Sequence, residues 1–150
     1  CQISMGMSHP LNRTLLSHTE ILLVNKEEAL AFSGTTTIDD ALRAFVQAGA
    51  RHACITDGKN GSSATDGTNI YRCPVLQADV VDTTGAGDGF GTGLTWGILS
   101  GLDLPNALKA ATINGASVVS AIGAQTGLLT ETDMQSKLRE LDLTVEAQPL

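Results

Sequence analysis

A single carboxylate, Asp88, stands in the segment VVDTTGAGDGFGTGL (residues 80–94), where glycine takes every second position from Gly85 to Gly93. A glycine inside a helix costs about 1 kcal/mol relative to alanine, so this density calls for a compensating contact. Apolar residues precede Asp82 and helix-forming ones follow Gly93, which predicts a strand leading through the segment into a helix N-terminus. First-turn N–H groups there lack internal partners and carry the positive end of the helix dipole. Gly and Ala at that point let a phosphate approach the backbone. An acid in such an anion site repels phosphate unless it has a task of its own. The natural task is to accept the proton of a hydroxyl as its oxygen attacks phosphorus. Asp88 is thus expected to be a catalytic base, with the amides of Gly85, Ala86, Gly87 and Asp88 holding the charge on the transferred group. The alternative is an ordinary glycine turn in which Asp88 caps the helix. For Gly89, Gly91 and Gly93 the compensating contact is a ligand or a neighbouring backbone. Two common phosphate loops are excluded: there is no G-x-x-x-x-G-K-[ST], and Phe90 stands where G-x-G-x-x-G needs its third glycine.

The elements that must position this segment can be read around it. EILLV (20–24) and HACIT (52–56) are short apolar runs that predict buried strands. Between them, NKEEALAFSG predicts a helix stopped by Gly34, and TIDD (37–40) a capping pair before a helix closed by Gly49. DGKNG (57–61) is a turn, and SSATD and NIYRCPV can pair as a hairpin across Gly67-Thr68. A long helix is expected after Asp103 and Pro105, with Leu104, Leu108, Ala111, Gly115, Val118 and Ile122 on one stripe and Gly123 as its end. A last helix opens with Thr130 and Asp133 and buries Met134, Leu138 and Leu141; from Asp142 onward no period is evident. Alternating strands and helices predict one α/β domain over the 150 residues.

Composition narrows the function classes. Nine Lys and Arg residues are scattered along a chain of net charge −7, which argues against nucleic acid or an acidic membrane surface as partner. No apolar run approaches the length of a membrane span. The three cysteines (Cys1, Cys54, Cys73) lack C-x-x-C spacing, and His9, His18 and His52 are dispersed. Neither set predicts a metal site, and reduced thiols in the cytoplasm are expected.

The run DTTGAGDGF resembles the C-terminal signature of the ribokinase-type (PfkB) carbohydrate kinases. Three further segments resemble that family in order and spacing: VNKEEA (24–29), its N-x-x-E element; ITDGKNG (55–61), its T-x-G-x-x-G loop; and NGASVVSAIGAQTGLL (114–129), the helix and loop that close its nucleotide site. The resemblance implies a three-layer α/β/α fold with a mostly parallel sheet plus a hairpin, and transfer of the γ-phosphoryl group of Mg-ATP to an alcohol of a sugar or nucleoside. It makes Asp88 the base and Gly85, Ala86 and Gly87 the anion hole. Asn25 and Glu28 would organise Mg2+ and the phosphates, Glu28 through water. Thr56, Gly58 and Gly61 would line the ATP site, with Gly87 and Asn114 also at the nucleotide. Asp82, the backbone of Thr84 and carbonyls near Gly123 would hold a monovalent cation such as K+.

Some positions depart from the family pattern. Gly127 stands where several members carry serine near the cation, Ala121 replaces an arginine, and Ala111 stands where many carry an adenine-side asparagine, with Asn114 a turn later. The chain opens at Cys1 and shows neither the sugar-binding portion nor the lid sheet that precede these segments in the family. It therefore resembles the nucleotide-binding, base-bearing portion of a kinase, expected to be inactive alone. Such a portion leaves a sheet edge unpaired and apolar surface uncovered, so self-association or pairing with the N-terminal portion is expected. A non-catalytic nucleotide-binding module, and a ligand-free structural domain, are the alternatives.

Overall fold

The computed structural model describes residues 6–123 and 126–150; Cys1, and positions 124–125 of the segment 114–129, lie outside the described residues. Backbone contacts group the chain into two compact units. One runs to Arg72 and is joined by Glu146–Leu150; the other is Cys73–Val145.

The first unit holds a five-stranded sheet in the order β1-β2-β3-β4-β5. Strands β1 (Ile21–Asn25) and β2 (His52–Thr56) are parallel, with Ile21 opposite His52 and Asn25 opposite Thr56. A parallel pair needs a long crossover, supplied here by α2 (Lys26–Ser33) and α3 (Ile38–Gln47). The short 3-10 turn Gly58–Asn60 can only reverse the chain, so β3 (Ser62–Thr65) runs antiparallel to β2. Strand β4 (Asn69–Cys73) lies next to β3, and β5 (Glu146–Pro149) is antiparallel to β4. The sheet is thus mixed, with its parallel character carried by β1 and β2.

Local chemistry explains these elements. Asp66 Oδ1 accepts the N–H groups of Thr68 (2.8 Å) and Asn69 (2.9 Å), and Gly67 takes the left-handed conformation (φ 87°) that closes the β3–β4 turn. Thr37 Oγ1 accepts the N–H of Asp40 at the start of α3, while the Asp40 carboxylate takes the Thr37 hydroxyl instead of reaching the backbone. A helix α1 (Pro10–Leu16), capped by His9, precedes the expected elements and buries Leu16. In the core Phe32 of α2 and Phe45 of α3 lie with ring centroids 5.9 Å apart, packed with Leu22, Ile55 and Ile70. Each such buried side chain contributes about 1.5–3 kcal/mol of transfer free energy, and Phe45→Ala would cost about 3–5 kcal/mol.

The second unit is built on helices α4 (Ala86–Leu99), α5 (Leu104–Val119) and α6 (Glu131–Glu140). Glycines on α4 let α5 approach at backbone distance. A Cβ on Gly89 would lie 2.7 Å from Val118 Cγ2, one on Gly93 2.8 Å from Ala110 O, and one on Gly97 2.8 Å from Ala107 Cα. Gly89 and Gly93 are therefore compensated by a neighbouring helix, and Gly97 continues the same stripe. Met134 of α6 packs against Ala110 and Ile113 of α5, with Leu138 and Leu141 partly buried beside it.

Two boundaries differ from expectation. No strand precedes Asp82: residues 74–81 lie outside any strand, Val80 and Val81 are exposed, and the amides of Val81 (2.8 Å) and Asp82 (3.2 Å) donate to Val119 O. The apolar run thus spends its last N–H groups on a helix C-terminus where a ladder was expected. Helix α5 likewise ends at Val119, short of Gly123, and leaves Ile122 78 % exposed.

Candidate active site

Helix α4 begins without a side-chain cap. Gly85, in the left-handed conformation (φ 81°), is its N-cap and has no side chain to offer the N–H groups of Gly87 and Asp88. The Ala86 N–H, expected in the anion hole, instead donates to Thr83 O at 3.2 Å. Of the four amides expected there, those of Gly85, Gly87 and Asp88 make no backbone hydrogen bond among the described residues. Nothing lies within 4 Å of a Cβ placed on Gly87. Asp88 is exposed, and its carboxylate has no hydrogen bond or ion pair among the described residues. It does not cap the helix, the role the glycine-turn alternative gave it. Its backbone carbonyl accepts the Thr92 hydroxyl at 2.8 Å.

The turn before α4 is organised by Asp82. Its Oδ1 accepts the Thr84 N–H at 2.9 Å and its Oδ2 the Gly123 N–H at 3.4 Å. The Thr84 N–H and hydroxyl, then the Gly123 N–H, hold the carboxyl below the usual carboxylate range against the opposing effect of burial. At Gly123 it is the N–H that faces Asp82. Asp82 therefore closes the turn before α4 with one oxygen and ties it to the segment after α5 with the other.

Asn114, expected at the nucleotide, is 2 % exposed. Its Nδ2 donates to Gly89 O at 2.7 Å and its Oδ1 accepts the Leu129 N–H at 3.0 Å. Gly127, where several family members have serine, packs so closely on Ser117 O and on Val118 Cα that a Cβ there would clash with α5. That departure has a steric cause.

In the first unit, the N-x-x-E and T-x-G-x-x-G elements meet at the carboxyl ends of β1 and β2, since Asn25 pairs with Thr56. Open α/β sheets bind ligands outside such strand ends. Asn25 caps α2 by accepting the Glu28 N–H at 2.9 Å, and Glu28 Oε2 accepts the Asn25 N–H at 3.0 Å, a reciprocal box. The turn after β2 uses Gly58 (φ 51°) and Gly61 (φ 90°) and closes through the Asp57 N–H on Gly61 O at 2.8 Å. Lys26 Nζ bonds Asp57 Oδ2 at 2.9 Å and holds that carboxyl below its ordinary range. Sequence reasoning missed this pair; the signal was the matching position of the two residues just past the ends of neighbouring strands.

The sequence pattern of the pfkB family carbohydrate kinases matches residues 6–131. Fructoselysine 6-kinase of Shigella flexneri is 35 % identical over 119 residues, covering 77 % of this chain and 42 % of that protein. Ribokinase of Bacillus subtilis is 30 % identical over 131 residues, covering 87 % and 43 %. A crystal structure described as ribokinase II of E. coli, with ATP and Mg2+, superposes with a TM-score of 0.77 at 25 % identity, covering 86 % of this chain and 42 % of that one. The chain spans about two-fifths of the length of these relatives. Among the described residues no helix is long and apolar enough to cross a membrane, and no cluster of three or more His, Cys, Asp or Glu could hold a metal. The chain belongs to the pfkB family of carbohydrate kinases.

Proposed function

We propose that this chain is the nucleotide-binding, base-bearing portion of a kinase that transfers the γ-phosphoryl group of ATP to an alcohol of a sugar or nucleoside. The observation that carries the reading is the start of α4: a glycine N-cap, two first-turn amides without a cap, and an unengaged carboxylate in the same turn. Asp88 takes the proton of the attacking hydroxyl, while the N–H groups of Gly87 and Asp88 hold the charge on the transferring phosphoryl group. The family match over residues 6–131 and the ATP and Mg2+ of the E. coli relative support a nucleotide as donor. Thr56, Gly58 and Gly61 are assigned to ATP.

Mg2+ would neutralise charge on the phosphates when bound. The residues fit an ion held mainly by phosphate and water, because Glu28 commits only Oε2 to its capping box and keeps Oε1 for a bound water. A monovalent cation such as K+ would be held by Asp82 and the backbone of Thr84; each Asp82 oxygen accepts one N–H and keeps a lone pair for an ion.

The acceptor groups belong to the part of the relatives that this chain does not span, and a positioned acceptor supplies roughly 7–11 kcal/mol of such a barrier. The test is product formation from Mg-ATP with a panel of sugars and nucleosides. The complete protein is expected to phosphorylate at least one, and the 150-residue chain alone none. Turnover by the chain alone at about 1–1000 per second would overturn the division of labour.

A further inference from the structure

The buried carboxamide of Asn114 bonds two separate backbone segments at once. Its Nδ2 holds the carbonyl of Gly89, the residue directly after Asp88, and its Oδ1 holds the amide of Leu129, just before α6. An unpaired buried donor or acceptor is costly, so both bonds are retained together. The surrounding contacts allow little slack. Gly89 meets Val118 at the limit of close approach, Gly127 meets Ser117 and Val118, and a Cβ on Gly115 would lie 3.5 Å from Ala86 O. The first turn of α4 and residues 127–129 are therefore both seated on the same stretch of α5, with one rigid planar amide joining them.

We propose that Asn114 is a positioning residue for phosphoryl transfer: a cross-brace that sets the α4 turn carrying Asp88 from the segment at 127–129. Displacement of that segment passes through the amide to the Gly89 peptide, and so to the geometry of base and anion hole. The catalytic part of this proposal rests on the function proposed above; the brace itself does not.

Two variants separate the ends of the brace. Asn114→Ala removes both bonds. Asn114→Asp keeps an acceptor for Leu129 and loses the donor to Gly89. Amide hydrogen exchange on the complete protein is expected to accelerate by about tenfold or more at Leu129, Gly89 and Phe90 in Asn114→Ala, and only at Gly89 and Phe90 in Asn114→Asp. Unchanged exchange at Gly89 and Phe90 would overturn the brace. If either variant fails to fold, Asn114→Ser, which leaves room for a bridging water, is read in the same way.

In kinetics, Asn114→Ala is expected to lower kcat by about 10- to 100-fold with KM for ATP changed by less than about threefold. The same substitution on an Asp88→Asn background should cost little more, because both act on one step. Fully additive losses would show a merely structural role and overturn the positioning claim. Absence of kinase activity in the unaltered protein would remove the functional reading, and exchange alone would then decide the brace.

Discussion

Helices α2 and α4 both carry an acid at the third position of their first turn, and the two are treated in opposite ways. At α2, Glu28 is locked in a reciprocal box with Asn25, so the helix start is closed by its own side chains. At α4 the cap is Gly85, and among the described residues nothing reaches the N–H groups of Gly87 and Asp88 or engages the Asp88 carboxylate. The other helices among the described residues follow α2 in having a side-chain cap: His9, Thr37, Asp103 and Thr130 each accept a first-turn N–H. Glycine at the cap costs only about a few tenths of a kcal/mol relative to a capping side chain, so the open start is cheap to keep. The contrast sets a helix start closed by its own side chains against one left open, and the difference lies in whether the cap has a side chain.

The comparison breaks most visibly at the carboxylates. Asp88→Asn in the complete protein is expected to lower turnover by about two to four orders of magnitude with ATP affinity little changed, because it removes the proposed base. Steady-state kinetics with ATP titration checks this, and near-normal turnover would end the assignment. Next in size is a pair of glycine variants on α4. Gly93→Val forces a side chain against Ala110 O and Ala111 Cα and should destabilise the protein by about 1–3 kcal/mol or more in a denaturant melt. Gly87→Val, with nothing within 4 Å of its Cβ, should melt normally and yet lose activity by crowding the phosphate. A Gly87→Val protein that is fully active would move the anion hole elsewhere.

Two smaller effects sharpen the closed side of the comparison. Asn25→Ala should cost about 1 kcal/mol of stability, the ordinary value of a lost cap, measurable by urea unfolding. The pH response of Asp82 has a definite sign. Its folded pKa lies below its ordinary value, so its contribution is fully present above the unfolded pKa and is lost as pH falls through the folded one. Melting temperature should therefore fall below about pH 4, and Asp82→Asn should flatten that part of the profile. An unchanged profile in Asp82→Asn would detach the turn from this carboxylate.

Much of this was legible in the residues, and the failures have physical causes. β1 and β2 were readable because short apolar runs between turn signals leave few other structures. Thr37 and Thr130 were readable because a cap and its acid stand at fixed spacing. β5 was not, since Glu146–Pro149 is fully exposed at the sheet edge and has no apolar alternation to betray it. The expected strand before Asp82 illustrates the converse: apolar residues favour a strand only where a neighbouring edge is available, and here Val119 O takes the amides. For Gly89, Gly91 and Gly93 the residues left a ligand or a neighbouring backbone open, and at Gly89 and Gly93 it is the neighbouring helix. Their four-residue spacing, continued at Gly97, marks a single helix face. Asn114 was expected at the nucleotide, and its two backbone bonds were not legible, because one polar residue in a helix does not disclose what it holds.

The central claim is that the open start of α4 receives the phosphates. Its most direct test is a backbone amide NMR titration of the complete protein with Mg-ATP, following the N–H groups of Gly87 and Asp88 against those of Asp40 and Asp133, which are capped by Thr37 and Thr130. The account predicts large shifts and slowed exchange at Gly87 and Asp88, with Asp40 and Asp133 unmoved. Saturation with ATP that leaves Gly87 and Asp88 unchanged would contradict it.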